Sequence, residues 1–434
     1  MIFEGWQIII MKKNKINLNK RKFIKTFSIG CLSLPFLKGV KANYKPKIVV
    51  VGGGFGGGSC LAYLQKFSTQ FDIFLIEKNK NYYTCPYSNS VVGGFRSFKD
   101  NKFRLNSFKY NDVKLIYNEV KFIDSEKRSI KFSNNESLNY DWLIISPGID
   151  FKWGDIEGYD FEISKNLPHG WNGADAEKIL NSINSLEDNS TILLSVPDYP
   201  YRCPPAPYER ASLIAYNLKK RGMRFKIIIL DSKDSFTKKD LFIKAWNELY
   251  PKSIEWIPRS KGGKVIKLDY KNKLLITETG QRFKGQFINI IPNQKSKNLF
   301  LNDNKKDWFK VNPTTFELLD HKYVHAVGDC IDAGDMPKSA FSANSQAKVC
   351  AENLKNIILN KEILDPVFFN TCYSFASSDY VFSISSWYKV NKFNDKIVSL
   401  GTSESNINDT KFQRNVEVGH SKGWYQTITK EVFG

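Results

Sequence analysis

The sequence predicts an α/β fold with two Rossmann-like dinucleotide-binding domains, the first of them discontinuous, followed by an α+β C-terminal interface domain. Two separate stretches follow the order strand, turn, helix and strand, and another apolar strand pattern occurs late in the chain. A length of 434 residues also favours several domains over one core. We expect the first domain at 43–165 and 296–362, the second at 166–295 and the interface domain at 363–434.

The first stretch begins with a largely β-branched run at 47–51, which is typical of a buried parallel strand. Gly52, Gly54 and Gly57 follow it in a G-x-G-x-x-G pattern that opens a predicted helix. In such a turn the helix N-terminus binds a pyrophosphate. The next predicted strand ends at Glu77, 20 residues after Gly57, where an acid binds the ribose hydroxyls. These features predict a dinucleotide site; the alternative is a glycine-rich structural loop without a ligand.

Two later segments indicate which dinucleotide is bound. Residues 140–148 form an apolar strand pattern that ends in a tight turn, and residues 324–329 form another that ends in Gly328-Asp329. This pair resembles the paired motifs of the two-dinucleotide-domain flavoproteins, the glutathione reductase superfamily. The resemblance implies that Gly328 and Asp329 bind FAD, and that the chain leaves the FAD domain and re-enters it near residue 296.

The second stretch lacks the glycine turn, because residues 174–221 contain no glycine. Strands are predicted at 191–195 and 225–230, with a helix at 208–221 between them. In place of the turn stands a proline-rich loop at 197–207. Proline has no amide hydrogen to offer a phosphate, and bulky side chains prevent close backbone approach. We therefore expect no nicotinamide site here, so the electrons must come from the substrate and leave by another route.

Residues 1–42 have the pattern of an export signal. A basic stretch at 20–25 precedes a short apolar run at 27–37 and then small residues near Ala42. The basic stretch resembles a twin-arginine signal with lysine in one arginine place. It predicts export to the periplasm; the alternative is a disordered basic tail.

The net charge of +20 raises the question of nucleic-acid binding. Residues 1–42 hold nine Lys/Arg and one acidic residue, which leaves +12 for the rest of the chain. The remaining lysines are scattered, without a basic helix or stripe, so we expect no nucleic-acid partner, although a basic surface suits an acidic protein. No apolar run reaches roughly 18 residues, so no transmembrane segment is predicted.

Seven cysteines occur, and they divide by context. Cys31 lies in the predicted export signal, whereas Cys60 and Cys350 lie in helical patterns and are interpreted as core residues. Cys330 follows Asp329 and is interpreted as a structural neighbour of the cofactor. The remaining three are expected in loops with unusual neighbours: Cys85, Cys203 and Cys372.

The motifs jointly resemble those of the flavoprotein subunit of flavocytochrome c sulfide dehydrogenase. The likeness covers nearly the whole chain after the leader, and the proline-cysteine loop is far more specific than the glycine motif. The segments that carry it are 49–58, 82–94, 167–171, 202–212, 336–346, 371–374, Trp424-Tyr425 and 433–434.

The resemblance implies roles for five residues. Cys85 matches a cysteine bonded covalently to the flavin, although Pro86 follows it where some members carry a bulky residue. Cys203 and Cys372 match a redox-active disulfide beside the flavin ring; the alternative is a structural staple, since disulfides persist outside the cytoplasm. The last two matches are Glu209, an acid that handles protons or alternatively stabilises its helix N-terminus, and Trp424, an aromatic near the flavin.

The activity that the resemblance implies is FAD-dependent oxidation of hydrogen sulfide at the disulfide. Electrons would then pass through the flavin to the haem of a c-type cytochrome subunit, the haem being on the partner and not on this chain. One alternative is a sulfide:quinone oxidoreductase, which commonly attaches to membranes through C-terminal amphipathic helices. Here residues 380–385 alternate as a strand does, which favours the cytochrome. The other alternative is a non-catalytic flavin-binding redox partner.

Overall fold

The computed structural model describes residues 44–105, 112–301 and 307–434, and Lys45–Gly434 fold as one unit. The predicted export signal at 1–42 lies outside the described residues. The α-helices are α1 (Phe55–Leu64), α2 (Ser88–Val92), α3 (Phe161–Ser164), α4 (Ala176–Asn184), α5 (Ala206–Lys220), α6 (Lys239–Leu249), α7 (Ala340–Ile358) and α8 (Lys411–Phe433).

The strands fall into two parallel sheets and several antiparallel ones. In chain order they are β1 (Lys47–Val51), β2 (Asp72–Glu77), β3 (Asn81–Tyr83), β4 (Lys102–Arg104), β5 (Val113–Tyr117), β6 (Val120–Asp124), β7 (Ser129–Phe132), β8 (Ser137–Asn139), β9 (Trp142–Ile145), β10 (Ile149–Phe151), β11 (Ser190–Val196), β12 (Phe225–Asp231), β13 (Ile254–Ile257), β14 (Val265–Asp269), β15 (Leu274–Thr277), β16 (Arg282–Lys284), β17 (Phe287–Ile290), β18 (Gln294–Ser296), β19 (Val324–Ala326), β20 (Val367–Ser377), β21 (Tyr380–Asn391) and β22 (Lys396–Glu404).

The first parallel sheet has the order β19-β9-β1-β2-β5. The central strand β1 pairs in parallel with β2 and β9, and the late strand β19 pairs in parallel with β9. β1 is almost wholly buried and packs in one core with residues of α1 and α7, as a parallel strand covered on both faces should. The chain therefore does return to this sheet after a long excursion, as the sequence predicts.

The second parallel sheet has the order β13-β12-β11-β17, and α5 connects β11 to β12. It repeats the plan of the first sheet, since each is accompanied by a three-stranded antiparallel sheet, β6-β7-β8 in one case and β14-β15-β16 in the other. The antiparallel pair β10 and β18 lies where the chain passes between the two sheets. The observed architecture confirms the predicted α/β class with two Rossmann-like units, while the residue boundaries of the domains stay a prediction.

The C-terminal region consists of the antiparallel sheet β20-β21-β22 followed by α8. Two sequence-based expectations need correction here. Cys372 lies inside β20 and not in a loop. The region also ends in a 23-residue helix, so the strand-like alternation does not extend to the C-terminus.

Helix α8 begins with a capping box formed by Thr410 and Gln413, which satisfies two backbone amides that the helix itself cannot. Its buried residues recur every three or four positions, and Ile428, Val432 and Phe433 pack with Phe55 of α1. The apolar stripe of α8 thus covers the protein itself. Among the described helices, none combines the length and apolar character needed to cross a membrane.

Candidate active site

A cleft of about 730 Å³ lies where the glycine turn, the proline-rich loop and the C-terminal region meet. Of the predicted site residues, Gly57 alone does not line it, because Gly57 faces β1 from inside the turn. The residues that do line it are Gly52, Gly54, Glu77, Cys85, Cys203, Glu209, Gly328, Asp329, Cys372 and Trp424.

The glycine turn is shaped by contacts that only glycine allows. Gly52 has φ of +98°, and a Cβ there would lie 2.3 Å from the carbonyl oxygen of Ser146. A Cβ on Gly57 would lie 1.9 Å from the carbonyl oxygen of Gly52. Gly54 precedes α1 in an extended conformation and opens onto the cleft. The turn therefore brings the N-terminus of α1 to the cleft as a dinucleotide pyrophosphate requires.

Glu77 ends β2 and is held against the glycine turn. One carboxylate oxygen accepts a hydrogen bond of 2.9 Å from the amide of Gly53, and the other accepts one of 3.0 Å from the amide of Asn79. A carboxylate has about four lone-pair positions, so the fixed group keeps acceptor capacity for ribose hydroxyls. The geometry fits the ribose-binding role that the sequence predicts.

Asp329 presents an unsatisfied acceptor inside the cleft. Its carboxylate is buried, and Oδ1 has no hydrogen-bond partner among the described residues. Burial raises the pKa of this carboxyl, while the nearby cations of Arg202 and Lys338 oppose the rise. A buried acceptor without a donor is costly unless a ligand supplies one. The residues around the cleft therefore fit FAD, whose hydroxyl groups are donors of the required kind.

Cys203 stands in the proline-rich loop with φ of +58°, a left-handed conformation that is uncommon for a residue with a side chain. Its amide donates to the carbonyl of Lys338 at 2.7 Å, and its carbonyl accepts from the amide of Ala206 at 2.9 Å. The backbone N–H of Cys203 therefore already donates a hydrogen bond within the protein and is not free to bind a phosphate. Tyr201, 1% exposed, fills the same loop and donates to the carbonyl of Pro204.

Cys372 reaches the same cleft from β20. Burial raises the pKa of the Cys203 thiol well above its ordinary value, and the sulfur of Cys372 is the next largest cause, which places the two sulfurs as electrostatic neighbours. The structure describes both as free cysteines, so the disulfide stays a prediction.

Glu209 is held by two hydrogen bonds from outside its own helix. It lies in the first turn of α5, where one carboxylate oxygen accepts 2.7 Å from Asn89 Nδ2 and the other accepts 3.0 Å from the amide of Phe375 in β20. Burial raises the pKa of this carboxyl, and the two hydrogen bonds oppose the rise. Because its partners are not the amides of α5, the carboxylate ties the Cys203 loop to the strand of Cys372.

Cys85 lines the cleft just before α2. Burial raises the pKa of its thiol, and the cation of Arg202 opposes the rise. Trp424 approaches from α8, with its ring 6.5 Å from Phe341 and 6.0 Å from Tyr373, centroid to centroid. Its indole Nε1 has no partner within the described part of the chain.

Of the three remaining described cysteines, Cys60 and Cys350 are core residues, as interpreted from the sequence. Cys60 in α1 and Cys350 in α7 are fully buried in the core of the first sheet. Cys330 is also buried, and its thiol donates to the carbonyl of Val327. None of the three lines the cleft.

Sequence reasoning assigned no role to several buried polar residues that support the site. Arg210, 2% exposed, donates to Asn89 Oδ1, to Asn289 Oδ1 and to the carbonyls of His169 and Gly170. Its position directly after Glu209 in a predicted helix was the available signal. Lys238 contacts the strand of Cys372 from a position 134 residues earlier, for which the sequence offers no local signal.

Three family profiles match successive parts of the chain. "Pyridine nucleotide-disulphide oxidoreductase" matches residues 46–184 and "Sulfide dehydrogenase [flavocytochrome c] flavoprotein chain, central" matches 177–292. "Flavocytochrome c sulphide dehydrogenase, flavin-binding" matches 364–433.

Individual proteins similar to this chain are also named for the oxidation of sulfide. The chain is 47% identical to a "Sulfide dehydrogenase [flavocytochrome c] flavoprotein chain" of Chlorobaculum thiosulfatiphilum over 45 residues, which are 94% of that sequence and 10% of this chain. It is 26% identical over 324 residues to the "Sulfide:quinone oxidoreductase, mitochondrial" of Dictyostelium discoideum, covering 71% of this chain and 70% of the relative. Among solved structures, the sulfide:quinone oxidoreductase of Aquifex aeolicus superposes with a TM-score of 0.68 at 17% identity, over 89% of this chain and 92% of that one. This last likeness confirms the fold class.

Proposed function

Since the chain belongs to the family of flavocytochrome c sulfide dehydrogenase flavoprotein chains, we propose that it oxidises sulfide at Cys203 and Cys372 and delivers the electrons to a c-type cytochrome. Sulfide oxidation by an FAD-dependent oxidoreductase follows from the family itself. The site residues, the covalent flavin and the identity of the acceptor are the proposal.

The strongest support for the site is that two cysteines far apart in the sequence line the same cleft. Cys203 and Cys372 are 169 positions apart in the sequence, yet both line the cleft whose other end is formed by the glycine turn. In the oxidised pair, attack by hydrosulfide on one sulfur would be ordinary thiol–disulfide exchange. The other sulfur would leave as a thiolate inside the same cleft.

The glycine turn, Glu77 and Asp329 are the groups that would hold FAD, and Cys85 would bond to it. FAD, when bound, accepts electron pairs and can release electrons one at a time, which suits a haem acceptor. The covalent link is supported by the position of Cys85, a half-buried residue on the cleft wall.

Glu209 is the proposed proton-handling group. Burial raises the pKa of its carboxyl, so it retains a proton at higher pH than an exposed glutamate would. The hydrogen bonds from Asn89 and Phe375 fix its two oxygens beside the cysteines. It is thereby positioned to hold the proton that is displaced when a thiol near it ionises.

The acceptor is proposed to be a c-type cytochrome subunit. Two observations support this: the name of the family, and the net charge of +12 on the chain after residue 42, which suits an acidic protein partner. A quinone acceptor is favoured by the similarity to sulfide:quinone oxidoreductases. The strand pattern at 380–385 does not distinguish a cytochrome from a quinone acceptor, because a helix, α8, follows it. The apolar residues of α8 at 428, 432 and 433 pack against the protein itself, which favours the cytochrome.

Export to the periplasm is proposed on the pattern of residues 1–42 alone. Fractionation of cells expressing the full chain tests it. Periplasmic protein lacking those residues is expected; a cytoplasmic product of full length would contradict it.

Anaerobic titration with sulfide tests the activity. We expect loss of flavin absorbance, then rapid reduction of an added c-type cytochrome and slow reduction of a short-chain quinone. Cys203→Ser should abolish both steps, whereas Cys350→Ala, a buried cysteine away from the cleft, should leave them intact. Full cytochrome reduction by Cys203→Ser would refute the assignment of the pair, and faster reduction of quinone than of cytochrome would refute the acceptor.

A further inference from the structure

A buried lysine lies against the strand that carries Cys372. Lys238 precedes α6 and is 2% exposed. Its ammonium donates to the Oγ of Ser374 at 2.7 Å and to the carbonyl of Cys372 itself at 3.3 Å. A buried ammonium is costly, so its retention next to the redox cysteines calls for a function.

The charged groups around the two sulfurs are distributed unevenly. Burial raises the pKa of the Cys372 thiol, and the Lys238 cation is the strongest group that lowers it, followed by hydrogen bonds with Asn370 and Ser339. The carboxylate of Glu209 raises the pKa of the Cys372 thiol, but its effect is smaller than those of Lys238, Asn370 and Ser339.

The surroundings of Cys203 favour its neutral form instead. After burial and the neighbouring sulfur of Cys372, the carboxylate of Glu209 is the next cause that raises the pKa of the Cys203 thiol, followed by Cys85. Of the five largest influences on Cys203, Lys238 is the smallest and lowers the pKa, and the guanidinium groups of Arg202 and Arg210 also interact with this sulfur. Taken together, Lys238 and Glu209 favour negative charge on Cys372 over Cys203.

Packing fixes this arrangement. Lys238 faces Glu209 and Glu404 as well as the two cysteines, and its ammonium lies 5.6 Å from the ring centroid of Phe382. Burial lowers the pKa of Lys238, and the cysteines and the two carboxylates oppose that change, so they favour the charged form of the lysine.

We propose that Lys238 is a positioning residue that makes Cys372 the leaving thiolate when the disulfide opens, so that sulfide sulfur is added to Cys203. This inference rests on the proposed function. In the step, hydrosulfide attacks Cys203 Sγ, a bond forms between the two sulfurs and the Cys203–Cys372 bond breaks. Its electron pair stays on Cys372 as a thiolate beside Lys238, and the hydrosulfide proton stays on the terminal sulfur of the persulfide. Exchange proceeds faster through the more stable leaving thiolate, which is why the lysine selects the product.

Mapping the added sulfur tests the direction of attack. The oxidised protein is mixed anaerobically with one equivalent of sulfide, quenched rapidly with acid, alkylated and digested, and the peptides with Cys203 and Cys372 are analysed by mass. We expect the extra sulfur on Cys203, by about 10-fold or more over Cys372, because the lysine stabilises the thiolate that leaves from Cys372. Extra sulfur mainly on Cys372 overturns this inference and leaves the proposed function standing. Extra sulfur on neither cysteine refutes the proposed function.

Variants of Lys238 test the cause. For the reduced protein, the rate of iodoacetamide labelling of Cys372 against pH gives the apparent pKa of its thiol, a quantity that a merely structural role would not move selectively. Lys238→Met should slow labelling of Cys372 at neutral pH by about 10-fold and bring the sulfur distribution closer to even, and Lys238→Arg should restore both.

Lys239→Met is the matched control, because this neighbouring lysine lies over the ring of Trp256 and does not face the cysteines. It should leave the labelling profile unchanged. An unaltered profile in Lys238→Met with native flavin content overturns the role of the lysine. Should that variant fail to fold, the sulfur map of the unmodified protein still decides the direction of attack.

Discussion

Replacement of Gly57 by alanine should eliminate flavin binding, and the structure gives the reason in distances. The new Cβ would lie 1.9 Å from the carbonyl oxygen of Gly52, whereas real Cβ atoms stay beyond 3.0 Å, so the two must separate by at least the difference, 1.1 Å. Movement of helix α1 is also restricted on a neighbouring face, where a Cβ on Gly58 would meet Val432 Cγ1 of α8 at 2.6 Å. Overpacking of this kind costs about 1–3 kcal/mol, and it displaces the amides at the helix N-terminus.

The assay compares the flavin-to-protein absorbance ratio and the thermal unfolding temperature of Gly57→Ala with those of Gly423→Ala. Gly423 lies within α8, and a Cβ there would meet nothing within 4 Å. The same substitution should therefore stabilise α8 by about 0.8–1 kcal/mol and leave flavin content unchanged. Normal flavin content in Gly57→Ala, with an unfolding temperature equal to that of the unmodified protein, would refute the steric reasoning.

Three further predictions concern the cofactor and the response to acid. Cys85→Ala should release its flavin into the supernatant on acid precipitation, whereas release from the unmodified protein would contradict the covalent link. In the Cys85→Ala variant, the further substitution Asp329→Asn should weaken FAD binding by about 10-fold or more in equilibrium dialysis, because a charge-assisted hydrogen bond contributes about 1.5–3 kcal/mol. The control substitution Asp332→Asn, at an exposed residue, should leave FAD binding unchanged. Burial lowers the pKa of His169 from 6.5 to about 3, so between these values the unfolded chain binds a proton that the folded chain does not, and stability should fall as pH is lowered through that range. In urea unfolding, the free energy of unfolding of His169→Gln should decrease less with falling pH than that of the unmodified protein. Burial raises the pKa of Asp175, so this group has the opposite effect on stability, but it is present in both proteins. The same pH dependence in the two proteins would contradict the role of the histidine.

The predicted fold class rested on residues whose local pattern is unambiguous. The run Lys47–Val51 is largely β-branched because β1 is covered on both faces, and Gly52 and Gly57 after it are dictated by backbone contacts of under 3 Å. Helix α8 was missed for an equally physical reason. Its buried stripe includes Arg414, Ser421 and Thr429, so its hydrophobic periodicity is weak.

The candidate site was predictable where residues act through their own segment and not where they act across the fold. The sequence pattern placed Glu209 in the first turn of its helix, but its hydrogen bonds to Asn89 and Phe375 span 120 and 166 residues. Cys372 was expected in a loop, because a strand whose burial changes from alternating to continuous gives no clear period of two. Long-range contacts of this kind leave no trace in local spacing.

The proline-rich loop shows how one backbone plan serves two chemistries. In the first Rossmann-like unit the turn between β1 and α1 uses glycine at φ of +98° to expose amides to a pyrophosphate. The corresponding turn between β11 and α5 also adopts a left-handed conformation, but at Cys203, where a side chain makes it cost on the order of 1–2 kcal/mol. The amide of Cys203 is bound to the carbonyl of Lys338, so the strain serves to aim a sulfur and not a backbone N–H into the cleft. The turn between β11 and α5 therefore presents the side chain of Cys203 to the cleft, whereas the turn between β1 and α1 presents backbone amides.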